Sequence, residues 1–215
     1  PMLNSVTDPN QKAEICLKLI ELGKEFSTLI PHDAGTGNNG TVAGASWVDA
    51  KFGKGLQLNG TAENYISIAY TPPVNNFTVS AWFKTETAHE IDPEADNNTT
   101  GTSGQNYIFG ADNKDTEGGA GVSIGTNGIS VYEHGNSYMP ALAVYNGTVG
   151  NGWNHLAVTY TDRQPRIYLN GILVRTGLVS PKTIVHAPTI IGAGPYGYFN
   201  GTLDQFIAET TLDNI

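Results

Sequence analysis

One cysteine, Cys16, stands in a chain of 215 residues. No disulfide can therefore form within it, and the fold has to rest on its core, which a chain of this length can bury. Cys16 lies among Ile15, Leu17 and Leu19, where a buried, inert thiol is expected. Charge is scarce at 14 %, and basic charge scarcer: 11 Lys and Arg against 20 Asp and Glu give −9. That balance argues against nucleic acid and anionic membrane surfaces as partners. No apolar run is long enough to cross a bilayer as a helix. No histidine pair has metal-ligand spacing, no Ser-His-Asp arrangement can be read, and no glycine-rich phosphate loop occurs. No leader is visible, and the start at Pro1 reads as that of a processed or excised piece.

What is abundant points one way. Twenty-six glycines, 11 prolines and many Asn and Thr residues fit an all-β chain with frequent turns. The clearest stretch runs from Gly152 to Gly171. Leu156, Val158 and Tyr160 alternate with His155, Ala157 and Thr159, and Ile167 and Leu169 alternate with Arg166, Tyr168 and Asn170. Period-two patterning of this kind predicts a half-buried hairpin, with Asp162 to Pro165 as its turn and Asn170-Gly171 opening the next. Further strands are expected over 77–85, 106–111, 121–124, 129–134, 141–145, 172–176, 189–192 and 203–209. At the other end, Asp8-Pro9-Asn10-Gln11 has the capping signature of a helix start. Residues 9–22 are expected to form an amphipathic helix, whose apolar face, with Leu19 and Leu22, needs the sandwich or another chain as partner; the alternative is a strand through Ile15, Leu17 and Leu19. The domain reading is a helical extension over 1–30 and one β domain over 31–215.

Four stretches carry a family resemblance. Gly152–Tyr160 with Arg166–Gly171, Asp33–Val42 (DAGTGNNGTV), Phe52–Asn59 with Phe77–Lys84, and Gly201–Ala208 together resemble the laminin-G-like, or concanavalin A-like, jelly-roll superfamily. The fold so implied is a two-sheet antiparallel jelly-roll sandwich. Function does not follow from it, because one fold hosts many sites. The resemblance also implies a structural calcium, with Asp33, Gly35 and Asn38 of the early turn meeting Asp204 of the closing strand. Calcium accepts irregular shells of six to eight oxygens, which carboxylate, amide and carbonyl groups beside glycines supply.

Three further clusters carry chemistry. Glu90-Ile91-Asp92-Pro93-Glu94 resembles the catalytic strand of jelly-roll glucanases, in which alternation would put Glu90, Asp92 and Glu94 on one face. Pro93 and the loop-like continuation oppose that reading, and the alternative is a solvated acidic loop within the polar insertion at 86–105. Tyr132, His134, Asn136 and Tyr138 join aromatic rings to hydrogen-bonding groups, as do Tyr196 and Tyr198. Such a mixture suits a glycan or a peptide. His155 reads as a satisfied strand residue, and Trp82 and Trp153 as core. Sequons at Asn39, Asn59, Asn76, Asn97, Asn98, Asn146 and Asn200 read first as turn chemistry. The function expected is a non-catalytic recognition module of an extracellular or surface protein, binding glycan or a protein partner. Its rivals are a glycoside hydrolase and an assembly domain.

Overall fold

The computed structural model describes residues 40–97 and 101–210. The expected helix, the turn at Asp33 and the proposed boundary at residue 30 lie outside them. In chain order the strands are β1 (Gly40–Ala43), β2 (Ser46–Ala50), β3 (Gly53–Asn59), β4 (Tyr65–Ile68), β5 (Phe77–Lys84) and β6 (Tyr107–Phe109). There follow β7 (Gly118–Gly125), β8 (Gly128–His134), β9 (Ala141–Asn146), β10 (Asn154–Thr161), β11 (Gln164–Leu169) and β12 (Ile172–Thr176). Short strands β13 (Val185–His186), β14 (Ile190–Ile191), β15 (Ala193–Gly194) and β16 (Gly197–Tyr198) precede the closing strand β17 (Asn200–Thr210).

Among the described residues these strands make two packed sheets. One has the order β1-β4-β14-β6-β7-β8-β9, with β13 paired to β7 in parallel. The other runs β12-β11-β10-β5-β17-β3-β2. The remaining pairings are antiparallel, and β15 and β16 form a separate ribbon. The chain is thus the expected two-sheet sandwich. Its core is built by strict alternation: Phe77, Val79, Ala81 and Phe83 of β5 meet Val122, Ile124, Ile129 and Val131 of the opposite sheet. Leu156, Val158 and Tyr160 complete it from β10, with Tyr160 stacked on Phe77 at 4.7 Å between ring centroids.

The central hairpin forms with one change. Thr161 pairs with Gln164, so the turn is only Asp162-Arg163, both at positive φ, and Pro165 lies in β11 opposite Tyr160. A two-residue turn of that hand matches strand twist, and Pro165 is tolerated because its carbonyl, not an N–H, is what Gly177 uses. Asn170-Gly171 turns through positive φ as expected.

A sandwich normally leaves its outer sheet faces to solvent; the outer face of the β6-β7-β8 sheet is instead roofed by irregular chain. Every residue of β7 is buried. Glycines make this possible. A Cβ at Gly121 would lie 2.5 Å from the Ala111 amide nitrogen, and at Gly119 it would meet the Asp112 carbonyl. The 86–105 insertion belongs to this roof. Its described residues form no named strand and are only partly solvated: His89 and Asp92 are buried, at 5 % and 8 % exposure, while Glu86, Glu90, Pro93, Asp96 and Asn97 are exposed.

Candidate functional site

The rim of the roofed sheet carries two open clefts. Their walls are the turn after β8, the 111–117 connection before β7 and the loops around β13–β15. A ridge separates them. The Asn136 amide N–H donates to the Asp115 carbonyl at 2.8 Å, Asn113 Nδ2 donates to Asn136 Oδ1 at 3.0 Å, and Asn136 Nδ2 donates to Asp115 Oδ1. Asp115 and Ser137 sit at positive φ, the tight-turn geometry that a short polar side chain tolerates.

The larger cleft, about 560 Å³, is lined by Asp96, Asn97, Tyr138, Pro181 and Lys182. The Lys182 ammonium lies 4.4 Å from the Tyr138 ring centroid and donates to the Thr116 carbonyl at 3.1 Å. A cation over a ring face is held by the ring's quadrupole. Arg163 fixes the far wall: Nη1 donates to the carbonyls of Ser180 at 3.3 Å and Lys182 at 2.9 Å. Behind the cleft stands Glu133, wholly buried. It accepts Ser180 Oγ–H at 2.5 Å, Tyr138 O–H at 3.3 Å and Tyr160 O–H at 3.3 Å. Burial pushes its carboxyl up to about 7, against the pull of those hydroxyls and of Lys182.

The smaller cleft, about 270 Å³, is bounded by Asp112, Asn113 and His134 on one side and by Ile190 and Ala193–Pro195 on the other. His134 Nδ1 pairs with the Ala111 carbonyl at 3.0 Å. Asp112 accepts from Thr189 Oγ1 at 2.5 Å.

The expected ligand residues are thus dispersed. Tyr138 lines the larger cleft, His134 the smaller, and Asn136 knits the ridge between them. Tyr132 is 1 % exposed, and its hydroxyl donates to Asp92 at 2.7 Å. Tyr196 is half-buried beside Gly101, and Tyr198 is exposed on β16. Asp96, Asn97, Pro181 and Lys182 escaped the sequence reading, because no periodicity joins two loops so far apart in the chain. Glu133 had a signal: it shares the inward register of Ile129 and Val131.

The Glu90-Asp92-Glu94 run does not form a face. Glu90 is exposed, Asp92 is buried, and Glu94 pairs with Arg175 and accepts the Val144 amide at 2.9 Å. A retaining pair needs two carboxyls facing one sugar, and these three diverge.

On the other sheet, Asp204, Trp82 and His155 lie in one register row across β17, β5 and β10, on the outer face. Trp82 is half-buried there rather than in the core. His155 is buried with Nε2 unpaired, not satisfied as expected, and burial pulls its pKa down to about 4. The Asp204 carboxylate is 4 % exposed and accepts the Phe52 amide at 2.7 Å. Asp33, Gly35 and Asn38 lie outside the described residues. Among the described residues no group of three or more His, Cys, Asp or Glu side chains could hold a metal.

The two sheets and their strand order define a jelly-roll sandwich. The chain belongs to the concanavalin A-like lectin/glucanases superfamily, whose model matches residues 59–208. No curated protein matches the chain in sequence. Solved structures share its fold. The binding domain of Paraclostridial Mosquitocidal Protein 1 is 15 % identical with a TM-score of 0.56, over 82 % of this chain and 45 % of that one. Domain 4 of AbnA, an extracellular GH43 arabinanase of Geobacillus stearothermophilus solved with arabinotriose, is 19 % identical with a TM-score of 0.52. The match covers 83 % of this chain and 84 % of that one. Domains LG4-5 of mouse laminin α1 are 13 % identical with a TM-score of 0.50, over 76 % and 41 %. The chain therefore spans less than half the length of the first and third.

Proposed function

We propose that this is a non-catalytic recognition module of an extracellular or surface protein, and that it binds glycan at the larger cleft. The observation that carries the reading is that cleft's lining: Asp96 and Asn97 beside Tyr138 and Lys182. Planar carboxylate and amide groups pair with adjacent sugar hydroxyls, while an aromatic edge and a proline give apolar contact. Neutral or amino sugars fit a chain of net charge −9. The AbnA domain of the same fold was solved with arabinotriose, a glycan. The test is a glycan array probed with the wild-type chain and with Asn97→Ala and Lys182→Ala. Binding lost in both variants, with unfolding temperatures unchanged, supports the reading. Binding that both variants keep moves the ligand elsewhere.

A protein partner is the second reading, favoured by the exposed apolar side chains Ile172, Leu173, Leu178 and Val179 around β12. A calcium ion held by Asp33, Gly35, Asn38 and Asp204 is a separate proposal. The donor set fits it only in part, since Asp204 already gives one oxygen to the Phe52 amide. Thermal unfolding with excess calcium and with chelator tests it: a rise in Tm supports the ion, by linkage, and coincident curves remove it.

A further inference from the structure

The two walls of the larger cleft are fastened to one buried carboxyl. Tyr138 and Ser180 both donate to Glu133 Oε2, and Tyr160 donates to Oε1. Among the described residues Glu133 makes no ion pair. Its surroundings from every side are these. Gly118 of β7 presents backbone, with Glu117 next to it already paired to His186 Nε2 at 2.5 Å. Tyr160 faces it from β10, Tyr138 from the turn after β8, and Ser180 and Lys182 from the loop after β12. Asp96 acts on Tyr138 from the insertion.

A carboxyl ringed by hydroxyls has two incompatible hydrogen-bond patterns. Ionised, it accepts all three O–H groups. Protonated, it becomes a donor itself, and one hydroxyl has to turn and accept. The three are not equally free to do so. Tyr160 is wholly buried and stacked on Phe77. Ser180 Oγ already accepts the Lys182 amide at 3.1 Å. Tyr138, in contact at the same 3.3 Å as Tyr160, stands on a turn and forms the cleft wall. A change at the carboxyl is therefore taken up at the cleft, by Tyr138 and by residues 180–182.

We infer that Glu133 is the positioning residue of this cleft, and that its charge state sets where Tyr138 and residues 180–182 stand and so how the cleft receives its ligand. The link to ligand rests on the glycan reading; the positioning does not. Burial brings the carboxyl's titration to about 7, so the change falls in the neutral range.

The experiment is NMR on the full chain from pH 5 to 9, following the Glu133 side-chain carboxyl carbon and the backbone amides of Tyr138, Ser180 and Lys182. The expected result is one shared midpoint near 7, absent from all three amides in Glu133→Gln, which keeps the shape. Tyr138→Phe keeps the ring and removes the hydroxyl. The carboxyl should still titrate there, while the residue-138 amide stops following it, and this variant decides the matter should Glu133→Gln not fold. Amides that stay flat while the carboxyl titrates overturn the inference. So do amides that titrate unchanged in Glu133→Gln. A shared midpoint with an empty glycan array sinks the glycan reading alone; array binding with flat amides sinks this inference alone.

Discussion

Among the described residues two carboxyls, Asp92 and Glu133, are buried and hydrogen-bonded by hydroxyls with no ion pair, and they differ in what surrounds them. Asp92, in the roof, accepts Tyr132 O–H and Thr102 Oγ1–H at 2.7 Å each and Gln105 Nε2–H at 3.4 Å. Around it three buried polar atoms have no partner: His89 Nε2, Tyr107 Oη and Ser130 Oγ. Glu133 has three hydroxyl donors, and none of the side chains that face it, Tyr138, Tyr160, Ser180 and Lys182, carries a buried polar atom without a partner. Each unpaired buried group costs about 1–3 kcal/mol. Nest and orphans at Asp92 lie between sheet and roof, where each side brings polar groups at fixed positions and their match is incomplete. The nest at Glu133 opens through Tyr138 onto a cleft, and there the match is complete. The first nest reads as fastening for the roof, the second as part of a site.

The largest effect expected from that contrast is at Asp92. Asp92→Ala removes a charged acceptor from two short hydrogen bonds and leaves Tyr132, Thr102 and Gln105 unpaired. Bonds to charged groups are worth about 1.5–3 kcal/mol each, so the loss should be roughly 3–5 kcal/mol by urea denaturation, at unchanged slope. A loss below about 1 kcal/mol would break the comparison, because the roof would then be held by something else.

Next comes the pH dependence of stability. Glu133 has a folded pKa of about 7 against an ordinary 4.5, so folding favours its protonated form. Its contribution is complete below pH 4.5 and is lost as pH rises towards 7, by about 3 kcal/mol. His155, pulled down to about 4 from 6.5, works the other way: its contribution is complete above pH 6.5 and is lost as pH falls towards 4, also by about 3 kcal/mol. The two nearly cancel in the wild-type chain between pH 4.5 and 7. Glu133→Gln removes one of them. Its unfolding free energy, measured by denaturant at a series of pH values, should therefore climb by about 3 kcal/mol across that window. A wild-type and a variant curve of the same shape would return Glu133 to the status of an ordinary buried acid.

A smaller effect tests the roof from the sheet side. Gly121→Ala drives a methyl group into Ala111, at 2.6 Å from its Cβ and 2.5 Å from its amide nitrogen. Backbone cannot yield as a side-chain tip does, and overpacking of this kind costs about 1–3 kcal/mol. Gly53→Ala is the contrasting case: nothing stands within 4 Å, and its cost comes from positive φ alone. Differential scanning calorimetry of both variants separates crowding from backbone strain.

How much of this was legible in the sequence follows from what each feature depends on. The hairpin at β10 and β11 could be read because alternation of Leu156, Val158 and Tyr160 with polar partners is a local signal. The turn was read two residues too long because Pro165 looks like punctuation, while the strand end lets it pair opposite Tyr160. Burial of His89 and Asp92 was not legible. An irregular segment has no period, and its close approach to the sheet depends on Gly125, where a Cβ would lie 2.5 Å from the His89 amide nitrogen, and on Gly128, where it would meet Ile91, both far along the chain. The larger cleft was half legible for the same reason. Tyr138 stood in a suggestive cluster, but Asp96 and Lys182 meet it only through the topology that sets β13 beside β7.

The smallest effect asks what holds the roof. Arg175, on edge strand β12, makes a two-armed ion pair with Glu94, one arm being Nε–H to Oε2 at 2.8 Å. The pair joins the insertion to the opposite sheet, which makes it look like the clasp. It is nonetheless exposed on the arginine side, and exposed pairs contribute about 0.2–1 kcal/mol. Glu94 moreover keeps the Val144 amide when the arginine is gone. Arg175→Ala should lower global stability by about 0.5 kcal/mol, within the range of an exposed pair. The sharper reading is hydrogen exchange at the Ala95 amide, which donates to the Ala141 carbonyl at 2.9 Å just beyond the pair. If the roof is fastened from beneath by Asp92, protection at Ala95 survives Arg175→Ala and collapses in a folded Asp92→Asn variant. The opposite order of sensitivity would make the ion pair the clasp and the Asp92 nest its passenger.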